Sequence, residues 1–561
     1  MIDVHRDTTF FKETSAVQLP PLPHDPTPKP FRVLLVYPNY AMVNLLPTNI
    51  GILTACLRQN GFQVGLFDTT FYRTAPKTLD EIRVENLQVR KFKLEDFGIR
   101  FKENHYRDDF IKKVKGFRPD LIGVTCVEDT WPQGRELIES VRDYPAPVIV
   151  GGVFPTLTPS VPISHPDVDM VCVGEGEHAI VELATKLMKG EDISTIQNLW
   201  VKKDGEVIKN PLRPPIEMDD VPFGDFDLFE PERFYRPMQG KVVRMAPIET
   251  DRGCPYTCRF CEAPSLVGLY RKDTGRYYFR RKAWSKVREE IEMYMKKYNI
   301  EYVYFNAETF LAMSEEEFDE FVEIYRKIKL PFWCQTRIET FTEKRLRCLE
   351  EVNCNRISIG IEHGNEEFRK KVVGKSFSND QVVKVFAMLK QSSIPVTVNN
   401  IIGFPDDTRE MIFDTIELNR QLDADSVNAY FFMPYRGTGM FDIAVQKGYY
   451  DPDKMETRSL MQGPVMKLPT ITSEELMGLV RTFSLYVKFP KEEWPEIRRA
   501  ERLDDEGNHK FEELSKRYYE RFFDHDFKRT RRACFSTRIY EKGARGEEQE
   551  VKKRSTEIIT N

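Results

Sequence analysis

Two stretches of this chain alternate short apolar runs with helical patterns, and that alternation restricts the fold more than any other feature. The first opens with Phe31-Arg32-Val33-Leu34-Leu35-Val36-Tyr37, a nearly continuous apolar run of the kind buried in parallel sheets. A helical pattern follows over 50–59, with Gly61 where a helix stop belongs, and then a further apolar run at 62–68. Beyond a charged, aromatic insertion at 71–105, strands at 121–125, 147–150 and 170–173 alternate with helices near 132–141 and 179–188. Five strands alternating with helices predict an α/β, doubly wound parallel sheet over 31–195. The second stretch repeats the pattern with six strands, at 242–248, 302–305, 332–336, 356–360, 396–402 and 426–432. Helices are predicted between them near 284–298, 315–328, 343–349, 380–391 and 409–422.

The first strand of the second stretch runs into Asp251-Arg252-Gly253-Cys254-Pro255-Tyr256-Thr257-Cys258-Arg259-Phe260-Cys261-Glu262. Cys254, Cys258 and Cys261 stand in Cys-x3-Cys-x2-Cys spacing, and Gly253 and Pro255 favour a bent loop over a helix. Such a loop can wrap three thiolates around one face of an iron–sulfur cube, leaving one iron open to bind and reduce a ligand. Zinc is the main competitor, but zinc sites usually supply a fourth Cys or His at compatible spacing, and none lies near. Chance clustering of three cysteines in a reduced protein is the remaining reading.

This loop resembles the cluster-binding loop of the radical S-adenosylmethionine (SAM) enzymes, down to Phe260 before the third cysteine. The resemblance implies a [4Fe–4S] cluster on Cys254, Cys258 and Cys261 whose open iron chelates the amino and carboxylate groups of SAM. Reductive cleavage would give methionine and a 5′-deoxyadenosyl radical that abstracts a substrate hydrogen. It also implies a partial (β/α)6 barrel with the site at the strands' C-terminal ends. Glu308, in Asn306-Ala307-Glu308-Thr309-Phe310, would accept hydrogen bonds from the SAM ammonium, although Gly-Gly-Glu or Asp-Asp is commoner there. Arg337 would pair with the SAM carboxylate. Ile359-Gly360-Ile361-Glu362-His363-Gly364 resembles a Gly-Ile-Glu-Ser-Gly stretch, with Glu362 toward the ribose or a neighbouring polar group. His363, in place of serine, either acts on substrate or satisfies a backbone group. Gly403, in Ile401-Ile402-Gly403-Phe404-Pro405-Asp406-Asp407-Thr408, belongs to a turn similar to one that meets the adenine. Cys334 either faces substrate or is a buried free cysteine.

In the first stretch, polar and glycine-rich breaks fall at the carboxyl ends of strands, where ligands bind in doubly wound sheets. These are Pro38-Asn39, Thr125-Cys126-Val127-Glu128, Gly151-Gly152 and Gly174-Glu175-Gly176-Glu177. Small residues there let a wide ligand approach the backbone. By order and by its glycine motifs, 31–195 resembles the Rossmann-like cobalamin-binding domain fused to many radical SAM enzymes. The resemblance makes Pro38, Asn39, Thr125, Cys126, Glu128, Gly151, Gly152, Gly174, Glu175 and Gly176 candidate cobalamin contacts. No Asp-x-His-x-x-Gly motif follows the first strand, so cobalamin is expected with its dimethylbenzimidazole tail displaced and no histidine on cobalt. His165 and His178 read as surface or capping groups. A flavodoxin-like domain that has lost its ligand, or holds another, is the alternative.

The remaining segments are a proline-rich lead-in over 1–30, a linker over 196–241 with a hairpin turned at Asp204-Gly205, the barrel over 242–439 and a helical C-terminal domain over 440–561. Helical periodicity at 474–487 and 510–523 predicts helices that close the barrel mouth and help select substrate, followed by a charged tail from about residue 541. A length of 561 residues suits three to four domains. A net charge of −5 gives no basic footprint, so nucleic acid is not expected as a partner. Ten scattered cysteines point to a reducing cytoplasm, and neither a signal peptide nor a transmembrane run is expected.

Together the two resemblances imply a cobalamin-dependent radical SAM methyltransferase. It would transfer a methyl through methylcobalamin to an unactivated carbon of a small molecule, lipid or natural-product intermediate. The expected partners are that substrate and an electron donor such as flavodoxin or ferredoxin. A cyclase or carbon–carbon bond-forming enzyme with the same cofactors is the alternative. A tRNA methylthiotransferase would need further cluster cysteines that are not evident, and a non-enzymatic cobalamin or redox sensor would not need SAM contacts.

Overall fold

The computed structural model describes residues 30–453 and 458–523. The proline-rich lead-in, but for Pro30, and the charged tail lie outside the described residues. The first sheet contains β1 (Arg32–Tyr37), β2 (Gln63–Asp68), β3 (Leu121–Thr125), β4 (Val148–Gly151), β5 (Met170–Cys172), β6 (Leu199–Lys203) and β7 (Glu206–Lys209). Its order is β2-β1-β3-β4-β5-β6-β7, with β1 to β5 parallel and β6 and β7 antiparallel. Val33 to Val36 are buried on both faces, as their unbroken apolar run requires. Strand order reverses at β1, so a crevice opens beyond the carboxyl ends of β1 and β3.

The hairpin expected in the linker instead belongs to this sheet. β6 pairs with the exposed edge of the short β5 and removes it as an edge. Asp204 and Gly205 turn the hairpin with φ of +52° and +84°, the left-handed pair that a two-residue turn needs. The helix Tyr106–Phe117 was not anticipated. Its charged composition hides a narrow stripe of Tyr106, Phe110 and Val114 at four-residue spacing, and those three are buried.

The second sheet holds β8 (Tyr235–Met238) and β9 (Lys241–Glu249). After the two-residue pair β10 (Asp251–Arg252) and β11 (Arg280–Arg281) come β12 (Tyr302–Asn306), β13 (Phe332–Thr336), β14 (Cys354–Glu362), β15 (Val396–Ile402) and β16 (Ser426–Phe431). Its order is β16-β15-β14-β13-β12-β9-β8, six parallel strands with β8 antiparallel on the edge. This is the expected partial barrel, open between β16 and β8. The insertion lies along that open side. Its helix Leu79–Glu85 starts at a Thr78–Glu81 capping box, and Gln88 Nε2 donates to Ala429 O of β16 at 2.8 Å.

The C-terminal helices do not cover the barrel mouth. Ser473–Lys488 packs on the outside of the barrel against β16 and the helix Arg409–Leu422, where Arg420 donates to Tyr486 O at 2.6 Å. Its apolar stripe is wide, and the last barrel strand offers the matching surface. The segment that meets the cluster loop is 433–450: Met440 N–H donates to Arg259 O at 3.0 Å, and Tyr435 donates to Asp129 at 3.0 Å.

Candidate active site

The cysteine loop is held at both ends. Before it, β10 pairs with β11, setting Asp251 beside Arg281 and Arg252 beside Arg280. Gly253 then bends the chain with φ +84°, and a Cβ there would stand 3.0 Å from the Tyr278 ring. Beyond the middle cysteine, Arg259 N–H donates to Val373 O at 3.0 Å. The helix Ala263–Thr274 follows at once, with Pro264 in its first turn, where a missing N–H does no harm. This helix was also not anticipated, since its apolar residues face the other domain rather than the barrel. Leu266, Val267, Leu269 and Tyr270 pack into the core of the first sheet, and the Tyr270 hydroxyl accepts the Glu175 N–H at 2.8 Å.

Cys254, Cys258 and Cys261 are free thiols. Burial raises the thiols of Cys254 and Cys261 above their ordinary range, so thiolates there need a cationic neighbour. Arg337 provides one beside Cys258, donating to its Sγ at 2.9 Å while also pairing with Glu339 at 2.6 Å. Among the described residues no three His, Cys, Asp or Glu side chains converge tightly enough to hold one metal ion. Three thiols set around a bent loop, beside a guanidinium, fit an iron–sulfur cube, which carries its own sulfides and spreads its ligands over several irons.

A cavity of about 410 Å³ opens between this loop and the carboxyl ends of the first sheet. Thr125, Gly151, Gly152, Gly174, Glu175 and Gly176 line it from one side, and Cys261, Glu262 and Glu308 from the other. Gly152 has φ +113°, and a Cβ there would stand 2.4 Å from Cys126 O; at Gly174, φ +85°, it would stand 2.5 Å from Tyr270 Oη. Glycine at both positions is thus required by the left-handed backbone and by close packing within the protein, and the small residues Gly151, Gly152, Gly174 and Gly176 leave the cavity wall at the strand ends low, as a wide ligand such as cobalamin needs. The Glu308 carboxylate opens onto the cavity and has no hydrogen-bond or ion-pair partner among the described residues. Protein crowding on its other sides raises its carboxyl. A free carboxylate in that position suits the ammonium of SAM.

Several expected contacts serve other ends. Glu175 reaches the cavity wall, but its carboxylate is engaged by Arg252 at 3.0 Å, by Arg280 and by Ile216 N–H at 2.7 Å. Arg252 also pairs with Glu177 at 2.7 Å and Glu249 at 3.1 Å, so this buried network ties the cluster loop to the first sheet. Pro38, Asn39, Cys126 and Glu128 do not line the cavity. Pro38 packs beside Gly134, and Asn39 is buried, donating to Thr70 Oγ1 at 2.8 Å and Val43 O at 3.0 Å. The Cys126 side chain lies in the core of the sheet. Glu128 accepts Arg436 N–H at 2.7 Å and its guanidinium, clasping the 433–450 segment.

On the barrel, Glu362 has φ +67° and its carboxylate is held by Lys375 at 2.8 Å. Gly403 has φ +79°, its N–H donates to Asp407 at 2.9 Å, and Leu476 packs against it. His363 is fully buried; Nε2 lies 3.3 Å from Asp407, and Nδ1 accepts Asn365 N–H at 3.2 Å. Both ring nitrogens are thus satisfied within the fold. Cys334 is a buried core residue, and Phe260 is half-buried, 6.0 Å from the Phe404 ring.

Sequence reasoning missed two cavity residues. Asn49, at the start of the helix Thr48–Gln59, donates to Thr125 Oγ1 at 3.3 Å. Glu262 is raised to about 7 by burial and then by the charges of Glu308, Asp129 and Glu128. Its place next to Cys261 was the available signal. Asp129, bonded to Tyr435, is also raised to about 7 by burial.

Residues 43–184 match the B12-binding domain, and residues 248–418 match the radical SAM superfamily. An uncharacterised methyltransferase of Pyrococcus horikoshii is 28% identical over 68% of this chain and 81% of its own length. The anaerobic magnesium-protoporphyrin IX monomethyl ester cyclase of Rubrivivax gelatinosus is 24% identical over 68% of each chain. Among solved structures, the radical SAM methyltransferase TsrM from Kitasatospora setae, with cobalamin and a [4Fe–4S] cluster bound, superposes with a TM-score of 0.56. It is 20% identical, with 76% of each chain covered, and so supports the same fold. No helix among the described residues is long and apolar enough to cross a membrane.

Proposed function

We propose that this chain, a radical SAM enzyme with a cobalamin-binding domain and a [4Fe–4S] cluster, methylates an unactivated carbon of a small molecule, lipid or natural-product intermediate. One observation carries the reading: the glycine loops of the first sheet, the third cysteine of the cluster loop and Glu308 line a single cavity. When bound there, the cluster and SAM supply a radical that removes a substrate hydrogen, and cobalamin supplies a methyl group. A saturated carbon is not nucleophilic, which is why such a pairing of cofactors suits it.

The chain's own residues set the geometry. Cys254, Cys258 and Cys261 hold the cluster, and Arg337 keeps a positive charge against the Cys258 sulfur. Glu308 holds the amino end of SAM. Gly151, Gly152, Gly174 and Gly176 would hold cobalamin at the carboxyl ends of the first sheet, where it would supply the methyl group. The Arg252 network fixes the distance between the two halves. An electron donor such as flavodoxin or ferredoxin supplies the reducing electron, consistent with a cytoplasmic setting.

The test is an anaerobic reaction with methyl-labelled SAM and the native substrate. Each product molecule should carry one labelled methyl and be matched by one 5′-deoxyadenosine and one S-adenosylhomocysteine. The similarity to a cyclase keeps one second reading in view, ring closure with the same cofactors. In that case deoxyadenosine would form without stoichiometric S-adenosylhomocysteine, and no label would enter the product.

A further inference from the structure

A second cavity, of about 680 Å³, lies inside the partial barrel below the site just described. That volume is within the usual range for small-molecule sites. Its mouth lies at the opposite end of the barrel from the cluster, between the loops that precede β15 and β16, since Ile394 and Ala424 are among its walls. Its upper end reaches Gln335, whose amide donates to the Tyr304 hydroxyl at 2.5 Å. Tyr304 is two residues before Asn306, which lines the upper cavity. One layer of side chains therefore separates the two spaces.

The wall of this lower cavity is rich in guanidinium groups. Arg83 is paired with Asp80 at 3.3 Å. Among the described residues no carboxylate forms a direct ion pair with Arg356, although Asp425 acts on its charge; its Nε donates to Thr397 Oγ1 at 2.8 Å and another nitrogen to Ser426 Oγ at 2.7 Å. Those bonds fix the fork and leave one nitrogen without an acceptor among the described residues. Arg236, on β8, has no direct hydrogen bond or ion pair for its guanidinium among the described residues; the Trp333 ring lies 5.7 Å away, and the Asp80 carboxylate, which Arg83 holds, and the Tyr304 hydroxyl act on its charge from further off. Surrounding protein works against charge on both Arg236 and Arg356. Both side chains are half-buried, and Asp80 and Asp425 favour their charge without contacting it directly, so donors on each remain open to an anion that arrives from outside.

We propose that Arg236 and Arg356 bind an anionic group of the substrate, carboxylate or phosphoryl, and hold the molecule in the barrel with its reacting carbon toward Glu308. The nitrogen of Arg356 left open by those bonds meets one oxygen of such a group, and Arg236, on the edge strand β8, meets another. Trp333, stacked 4.5 Å from Tyr304, offers a flat apolar wall for the rest of the molecule. This inference rests on the reading of the chain as an enzyme that acts on a small molecule, and it names the chemical class of that molecule.

The test uses full-length protein loaded with cluster and cobalamin, titrated by calorimetry with inorganic phosphate and, separately, with succinate. One saturable site is expected for at least one of them; phosphate alone points to a phosphoryl group, succinate alone to a carboxylate, and both to either. R236Q and R356Q should each weaken that binding by about tenfold or more, and R236K should restore part of it. Iron and cobalamin content report whether each variant is folded. Because R356Q also removes bonds to Thr397 and Ser426, R236Q is the deciding variant. With no anion added, R236Q should melt at the wild-type temperature or above it, whereas an arginine kept for structure would lower the melting point when removed. Absence of binding of both anions to the wild type, or R236Q binding as tightly as wild type, would overturn the proposal. None of these readouts depends on methyl transfer, so a failed labelling experiment leaves this inference standing, and the reverse.

Discussion

The two cavities on either side of the Tyr304 layer are opposite in charge. The upper one is bordered by Glu308, Glu262, Asp251 and Glu249, with Arg252 wholly occupied by its own carboxylates. The lower one is bordered by Arg83, Arg90, Arg236, Arg356 and Lys390 against Asp80, Asp423 and Asp425, which leaves an excess of cations. A cation such as the sulfonium and ammonium of SAM is drawn to the first, and an anion to the second. The contrast between Arg252 and Arg236 is the same lesson at the level of one side chain. An arginine clasped by three carboxylates belongs to the scaffold, and a half-buried one with no direct partner among the described residues is open to a ligand.

The largest effect that would break this comparison concerns the cluster. Replacing Cys254, Cys258 and Cys261 together with alanine should remove all cluster iron and end deoxyadenosine formation from SAM. Four irons surviving in that variant would mean the upper cavity is built around something else. Next in size is Arg252→Met, which strands Glu177 and Glu249 without their cation and leaves Glu175 to Arg280 and the Ile216 N–H. A loss of about 3–5 kcal/mol is expected by urea unfolding, against no loss for R236Q. Equal behaviour of the two variants would erase the distinction between scaffold and binding arginines.

A third effect is a pH slope of a few kcal/mol at most. Asp129 is held at about 7 by burial, well above its unfolded value, so the native state keeps a proton that the unfolded chain has already lost. Native stability should therefore fall as pH rises from about 4 to about 7, and a part of that slope should vanish in Asp129→Asn. Unfolding midpoints at several pH values in this window, for wild type and variant, check the sign. The smallest effect is expected for Glu308→Gln: SAM bound about tenfold more weakly, with the melting temperature unchanged or raised, because a lone crowded carboxylate is removed. A fall in stability like that expected for Arg252→Met would place Glu308 in the scaffold.

The strands were legible because a parallel strand buried on both faces writes itself as an unbroken apolar run, as in Val33–Val36 and the barrel's 396–402. The cysteine loop was legible because its spacing is local. What the sequence hid is tertiary. The Ala263–Thr274 helix carries its apolar face toward the other domain, so nothing in its own neighbourhood announced it. Glu128 and Glu175 stand at strand ends as ligand residues do, yet their partners Arg436 and Arg252 are 308 and 77 residues away. Asn39 was misjudged for the same reason, since its partners lie on the turn after β2. Gly152 and Gly174, in contrast, stood out in the sequence as glycines at strand ends, and both have positive φ and line the upper cavity.

The insertion between β2 and β3 belongs to the first domain by chain order, yet it borders the substrate space of the second: Arg83 and Phe92 sit on the wall of the lower cavity, and Gln88 grips β16. Inheritance of specificity is thereby separated from inheritance of chemistry. Residues 79–92 are anchored by the buried Leu87 and Gln88, and changes at their other positions on the cavity wall, such as Arg83 and Phe92, would reshape the lower space while the cysteines, Glu308 and the glycine loops stay untouched. Grafting that excursion between relatives is accordingly the shortest route to exchanging their substrates.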